Sequence, residues 1–145
     1  MYQNVKFVVA AIVVTLTVAI AVYLPTTTTQ AQSAVELQSA GALEFGSDGV
    51  LFVGDSYGAQ VVAIETNDMT APEVAEAPVL VESIDVELAA LLGANPLDIV
   101  INDMVVNPAS QNIYLTVHIG RTIDPGVALA RFVKNTGELE ILDLS

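Results

Sequence analysis

The sequence predicts an all-β fold of short antiparallel strands, arranged as two four-stranded sheets with one short inserted helix. In residues 42–66, apolar runs are separated by the turn signals Ser47-Asp48-Gly49 and Asp55-Ser56-Tyr57-Gly58. Such clusters between β-branched runs are typical of β-hairpins. Residues 99–143 repeat this pattern, and the interior stretch 85–92 has the apolar spacing of a helix.

Residues 1–31 have the organisation of an export segment. Lys6 precedes the apolar run 7–24, and a proline, four threonines and small residues follow the run. This pattern predicts a secretory signal cleaved after Ala31, and hence a secreted or periplasmic protein. The alternative cleavage sites are Ser33 and Ala34. The run of about 18 residues also reaches the lower limit for a membrane span, so the alternative is an uncleaved anchor with the domain outside the cytoplasm.

The composition excludes several classes of partner and site. The chain has 17 acidic and 4 basic residues, for a net charge of −13. It lacks the basic face that nucleic-acid binding or electrostatic binding to anionic lipid requires, so membrane contact is expected only through residues 7–24 if they are not cleaved. Without cysteine there is no disulfide, thiolate nucleophile or iron–sulfur cluster. A single histidine excludes a two-histidine metal site within one chain.

Residues 32–41 form a polar linker, and three strands are then predicted at about 42–46, 50–54 and 60–65. The run Val50 to Val53 is apolar on both sides of the strand, which predicts a sheet that is buried on both faces. Residues 67–83 contain Pro72 and Pro78 and are predicted as a surface loop. Within this loop, Val79 to Val81 are predicted as a fourth strand.

A change of period marks the inserted segment 84–98. Ser83 or Asp85 is predicted to cap a helix at 85–92, and Gly93 to end it. The stripe that is predicted to pack on the sheets consists of Leu88, Leu91 and Leu92. A single turn is predicted at 96–98. The four strands that follow are predicted at 99–106, 113–117 with His118 at the end, 127–133 and 139–144, with turns at 107–112 and 135–137.

The two strand segments align as an internal repeat. The matched sets are Phe45, Leu51, Phe52 and Val53 in the first copy and Val106, Ile113, Tyr114 and Leu115 in the second, offset by 61 or 62 residues. A meander that recurs at a fixed period is typical of propeller blades or a related array. The sequence therefore predicts one blade at 42–83, a helix and loop at 84–98, and a second blade at 99–145.

The repeat resembles known propeller families. Residues 43–56, with an apolar strand, an Asp-Gly turn, an apolar-aromatic strand and Asp-Ser, are similar to the NHL-type and gluconolactonase/strictosidine-synthase-like repeat. Residues 106–115, with an Asn-Pro turn before Ile-Tyr-Leu, resemble the YVTN-type repeat. The resemblance implies blades but little chemistry, because propellers serve as hydrolases, lyases, binding platforms and scaffolds.

Two blades are fewer than the roughly four that a closed propeller needs. We therefore expect the chain to be the N-terminal portion of a longer propeller. The alternative is a ring completed by several chains in head-to-tail contact, with self-association through the open blade edges.

The resemblance to lactonase-type propellers implies a divalent cation in a central channel, held by Glu, Asn and Asp. The positional candidates are Glu44, Asn102 and Asp103, with Asn107 beside them. Calcium prefers such oxygen ligands. The resemblance thus leaves, as the alternative function, a fragment of a calcium-dependent lactonase-like hydrolase.

The favoured function is a non-enzymatic exported module that binds or scaffolds partners through its blades. No catalytic residue is assigned, because His118 and nearby Arg121 lack the spacing of a triad. No cofactor is assigned apart from the candidate calcium. The Asp48-Gly49 and Asp55-Ser56 pairs are predicted to be turn residues, since their side chains bond nearby backbone.

Overall fold

The structure is a computed structural model that describes residues 36–72, 80–121 and 126–144. The first sheet has the order β1-β2-β3 and the second the order β4-β5-β6-β7, and both are antiparallel. The strands are β1 (Leu43–Phe45), β2 (Val50–Asp55), β3 (Gln60–Glu65), β4 (Ile99–Val106), β5 (Ile113–Ile119), β6 (Gly126–Val133) and β7 (Glu138–Ile141). One α-helix, α1 (Ile84–Leu92), lies between β3 and β4.

The predicted export segment, 1–31, lies outside the described residues, as does its apolar run 7–24. Within the described ranges no helix is long and apolar enough to cross a membrane.

The predicted Asp-Gly turn between β1 and β2 is a short 3-10 turn, Ser47–Gly49. Asp48 and Gly49 both have a left-handed backbone, with φ of 59° and 73°. Aspartate tolerates this region and glycine occupies it without steric cost, so the two residues suit the bend. The chain then returns antiparallel as β2, as the sequence predicts.

The predicted fourth strand of the first sheet is wrong. Leu80 and Val81 are not in a strand, Val79 lies outside the described residues, and among the described residues the first sheet has three strands. The chain turns at 82–83 and α1 begins at Ile84, so Leu80 and Val81 lead into the helix instead of pairing with β3. Leu80 is 81% exposed.

The second sheet lies between the first sheet and α1. The inner face of the first sheet, Leu43, Leu51 and Val53, packs on Tyr114 and Leu129 of the second sheet. The opposite face of the second sheet, here called its helix face, packs on Leu88 and Ala89 of α1; it consists of Leu115, Val117, Ala128 and Ala130. The aromatic ring of Phe45 meets that of Tyr114 edge to face, with centroids 5.0 Å apart.

The prediction that β2 is buried on both faces is wrong. Its inner side chains, Leu51 and Val53, are fully buried, but Phe52 on the other side is 39% exposed and Val61 on neighbouring β3 is 71% exposed. We call this side the outer face of the first sheet; it consists of Ala42, Glu44, Val50, Phe52, Gly54, Val61, Ala63 and Glu65. Within the described ranges, the chain covers only the inner face of this sheet.

The position of helix α1 agrees with the prediction, but not every predicted contact of the helix is present. Gly93 ends it in the left-handed conformation, with φ of 64°. Ser83 precedes the helix, yet its side chain makes no capping bond; instead its backbone carbonyl accepts from the N–H groups of Val86 and Glu87. The predicted leucine stripe is wrong at Leu91, which is 50% exposed. The single turn at Pro96–Asp98 is confirmed.

In the two copies of the repeat, equivalent residues point in the same direction along the stack of sheets. Leu51 and Val53 face the second sheet, and their counterparts Ile113 and Leu115 face α1. Phe52 lies on the outer face of the first sheet, and its counterpart Tyr114 faces the first sheet. Helix α1 therefore occupies, relative to the second sheet, the place that the second sheet occupies relative to the first.

Candidate functional site

Asp55 ends β2 and holds the segment that leads into the first sheet. Its carboxylate accepts hydrogen bonds from the backbone N–H groups of Gln38 and Ser39 at 3.0 and 2.8 Å. The Ser39 hydroxyl, the Gly58 N–H and the Gln60 side-chain amide donate to the same carboxylate. Asp55 is 1% exposed. It is therefore more than the turn residue that the sequence predicts, because it also fixes the end of the 32–41 linker.

Asp68 lies in the loop after β3 and reaches across to the second sheet. Its Oδ2 accepts from the Ser110 hydroxyl at 2.7 Å and from the Tyr114 hydroxyl at 2.9 Å. The Asn112 side-chain amide donates to both of its oxygens. Its backbone carbonyl accepts from the Asn107 side-chain amide at 2.7 Å. These bonds fasten the loop to the β4–β5 turn.

The Asp68 carboxylate lies close to the guanidinium group of Arg131. Arg131 approaches Asp68 at 3.9 Å, donates to the Tyr114 hydroxyl, and pairs with Glu140 on β7. Burial alone would raise the pKa of Asp68, but the hydrogen bonds from Ser110, Asn112 and Tyr114 and the charge of Arg131 hold that pKa below its usual value. Burial raises the pKa of the Tyr114 hydroxyl, which therefore remains a donor.

The calcium candidates Asn102 and Asp103 lie where β1 approaches β4. Asn102 interrupts the β4–β5 register at a bulge, and its amide donates to the Ala40 carbonyl at 3.0 Å. The two carboxylate oxygens of Asp103 accept from the N–H groups of Leu43 and Met104, each at 2.8 Å.

The other two candidates lie apart from this pair. Glu44 is exposed on the opposite side of β1 from buried Leu43. Asn107 is fully buried, and its side-chain oxygen accepts from the N–H groups of Ala109 and Ser110 within its own turn. The structure thus brings Asn102 and Asp103 together but not with Glu44. In the part of the chain that is described, no three Asp, Glu, His or Cys side chains form a group that could hold a metal.

His118 lies inside β5, which extends one residue beyond it to Ile119, whereas the sequence predicts that the strand ends at His118. Its Nε2 accepts the backbone N–H of Ala40 at 3.1 Å. Arg121 donates to the Leu97 carbonyl at 3.3 Å. In this arrangement the His118 Nε2 is engaged by the backbone of the 32–41 linker.

The outer face of the first sheet carries a shallow open groove. Its volume is about 530 Å³, and Ala42, Gly54, Ala59 and Val61 are among the residues that line it. The groove is shallow because small residues, Ala42 just before β1 and Gly54 on β2, form its floor, and exposed Val61 forms one side. This groove combines exposed apolar surface with few polar groups.

Comparisons of the chain with protein-family models, with curated proteins and with solved structures give no match. The resemblance to propeller repeats therefore stays a prediction from the residues that carry it.

The three carboxylates with lowered pKa values predict loss of stability in acid. The pKa values of Asp55, Asp68 and Asp103 lie below the usual 3.8 in the folded protein. Each group therefore contributes stability above pH 3.8, and the contribution is lost as the pH falls towards the folded value. We expect urea unfolding to show a free energy that declines below about pH 4. Asp103→Asn should decline less steeply, and a decline that begins near neutral pH would contradict this assignment.

Proposed function

We propose that the chain is an exported binding or scaffold module, made of two propeller-type blades, whose partner-binding surface is the outer face of the first sheet. The proposal is supported by a difference between the two outermost faces of the stacked sheets. Helix α1 covers the helix face of the second sheet, whereas the outer face of the first sheet is open among the described residues, with Phe52 and Val61 exposed. Exposed apolar surface of this kind marks interaction sites.

The polar side chains support binding in preference to catalysis. Asp55, Asp68 and Asp103 direct their carboxylates at donors of the fold, and His118 accepts a backbone N–H. Such groups position loops and strands rather than reacting atoms. The open groove, in contrast, presents apolar side chains and backbone groups to a partner.

The blade interpretation rests on the equivalence of the two sheets. Residues matched by the repeat lie on corresponding faces, and the two sheets stack in one direction. In this interpretation α1 fills the place of a following blade. Terminal units of repeat arrays are commonly capped by atypical elements in this way.

A matched pair of variants tests the binding face. Short peptides are selected from a displayed random library for binding to the full chain in a non-ionic detergent. Val61→Lys places a charge in the groove, and Val86→Lys places the same charge on α1, where the native side chain is 50% exposed. We expect the selected peptides to lose at least about tenfold in affinity for Val61→Lys, because a lysine there removes apolar contact, and to bind Val86→Lys normally. Equal binding to both variants would overturn the proposal.

The second candidate, a fragment of a calcium-dependent lactonase-like propeller, is favoured by the position of Asn102 and Asp103 between the first strands of the two sheets. The melting temperature of the full chain, measured with added calcium and with a chelator, decides between the candidates. We expect no change in melting temperature, because the Asp103 oxygens already accept two N–H groups. A specific stabilisation by calcium, absent with magnesium and lost in Asp103→Asn, would support the second candidate.

A further inference from the structure

The first sheet has a vacant position beside β3 among the described residues. In the second sheet, β7 pairs with β6 as the fourth strand. β3 and β6 are the third strands of their sheets, so the place beside β3 corresponds to the place of β7. Within the described ranges β3 pairs only with β2.

The register shows which backbone groups face this vacant side. The Thr66 N–H donates to the Gly49 carbonyl, so the alternate residues Ile64 and Val62 exchange hydrogen bonds with β2. Val61, Ala63 and Glu65 therefore direct their N–H and carbonyl groups away from β2. β3 has no proline, lysine or bulge, which are the usual protections of an exposed edge.

The exposed charge of the first sheet and its flanking segments has one sign. Between Glu36 and Pro72 the chain has no lysine or arginine and six acidic residues; Asp55 and Asp68 are engaged by hydrogen bonds of the fold, and the exposed four are Glu36, Glu44, Asp48 and Glu65. In the second sheet, Arg131 on β6 pairs across the strands with Glu140 on β7. Glu65 on β3 has no basic residue in its own sheet with which to make such a pair.

We infer that the β3 edge accepts an extended basic segment of a partner protein as a fourth strand. Main-chain hydrogen bonds to Val61, Ala63 and Glu65 supply the register, as in other cases of strand addition. Lysine or arginine on the outer face complements Glu65, and the alternate apolar residues continue the inner face beside Val62 and Ile64. The inference rests on the proposed binding function and names the class of its partner.

The probe is a fluorescein-labelled peptide of alternating lysine and valine, and the control peptide alternates glutamate and valine. Both are titrated against the full chain in a non-ionic detergent, and fluorescence anisotropy is followed. We expect the lysine peptide to bind saturably, to weaken several-fold as salt is raised, and to slow amide hydrogen exchange in β3.

Two variants test the edge itself. Ala63→Pro removes an N–H that faces the vacant side and leaves the β2 hydrogen bonds in place, and proline is tolerated at such edge positions. We expect it to reduce binding of the lysine peptide at least about tenfold, whereas the matched control Ala63→Val should bind normally. If Ala63→Pro no longer melts cooperatively, Glu65→Lys decides instead. Glu65→Lys should lower the affinity for the lysine peptide and raise the affinity for the glutamate peptide.

The outcomes separate this inference from the proposed function. If Ala63→Pro and Glu65→Lys both bind the lysine peptide as the native chain does, the strand-addition inference is overturned, while the Val61→Lys result still decides the binding face. Protection of β3 that rises with protein concentration in the absence of peptide would assign the edge to a second copy of the chain and would also overturn the inference.

Discussion

Replacing Asp68 with alanine is expected to lower the free energy of unfolding by about 3–5 kcal/mol. The side chain is 8% exposed and accepts from Ser110, Asn112 and Tyr114. Its removal leaves these buried donors without their acceptor and takes a carboxylate away from Arg131. Urea unfolding followed by circular dichroism measures the loss.

Two control variants identify the source of this loss. Asp68→Asn keeps one oxygen acceptor but turns an amide group towards the same donors, so its free energy of unfolding should lie between those of the native chain and Asp68→Ala. Asp98→Ala removes an exposed carboxylate in the turn before β4. It should change the free energy of unfolding by no more than about 0.5 kcal/mol. A similar small change in Asp68→Ala would show that the network does not stabilise the fold.

Leu88→Ala is expected to cost about 2–5 kcal/mol, because Leu88 is fully buried between α1 and the second sheet. Its side chain contributes to the only cover that the described residues give to the helix face. The variant should therefore speed amide exchange in β5 and β6 and increase binding of a hydrophobic dye. Chemical unfolding and hydrogen exchange measure the two effects separately.

Leu91→Ala is the matched control, since it makes the same change on the same helix at a side chain that is 50% exposed. It should cost less than about 1 kcal/mol and leave exchange in β5 unchanged. If both variants unfold alike, α1 does not cover the second sheet in the way described.

Much of the fold was predictable from the residue types at turns and helix ends. Asp48-Gly49 and Gly93 mark left-handed backbone positions, and strand and helix ends follow from them within a few residues. The three strands of the first sheet, the four of the second and α1 were all expected near their observed bounds. The predicted leucine stripe failed at Leu91 because several helical spacings fit a short apolar run, and only packing selects the face.

The long-range contacts were not predictable from one sequence. Asp68 meets Ser110 and Tyr114 across 42 and 46 residues of chain. Asp55 meets Ser39 across 16 residues, and the sequence indicated only its turn. Asn67-Asp68 likewise has the composition of an ordinary loop. Nothing in residue type or spacing shows which distant donors a carboxylate will meet, and for the same reason the sequence did not show that Asn102 and Asp103 bond to residues 40 and 43.

The position of α1 has a consequence for stoichiometry. Growth of a head-to-tail ring or filament requires each subunit to offer two complementary faces. Here α1 occupies the helix face of the second sheet, so among the described residues only the outer face of the first sheet is open to direct stacking of sheet on sheet. With α1 in place, stacking through the outer face adds one partner to each chain, and we expect complexes through this face to be one-to-one and of fixed size.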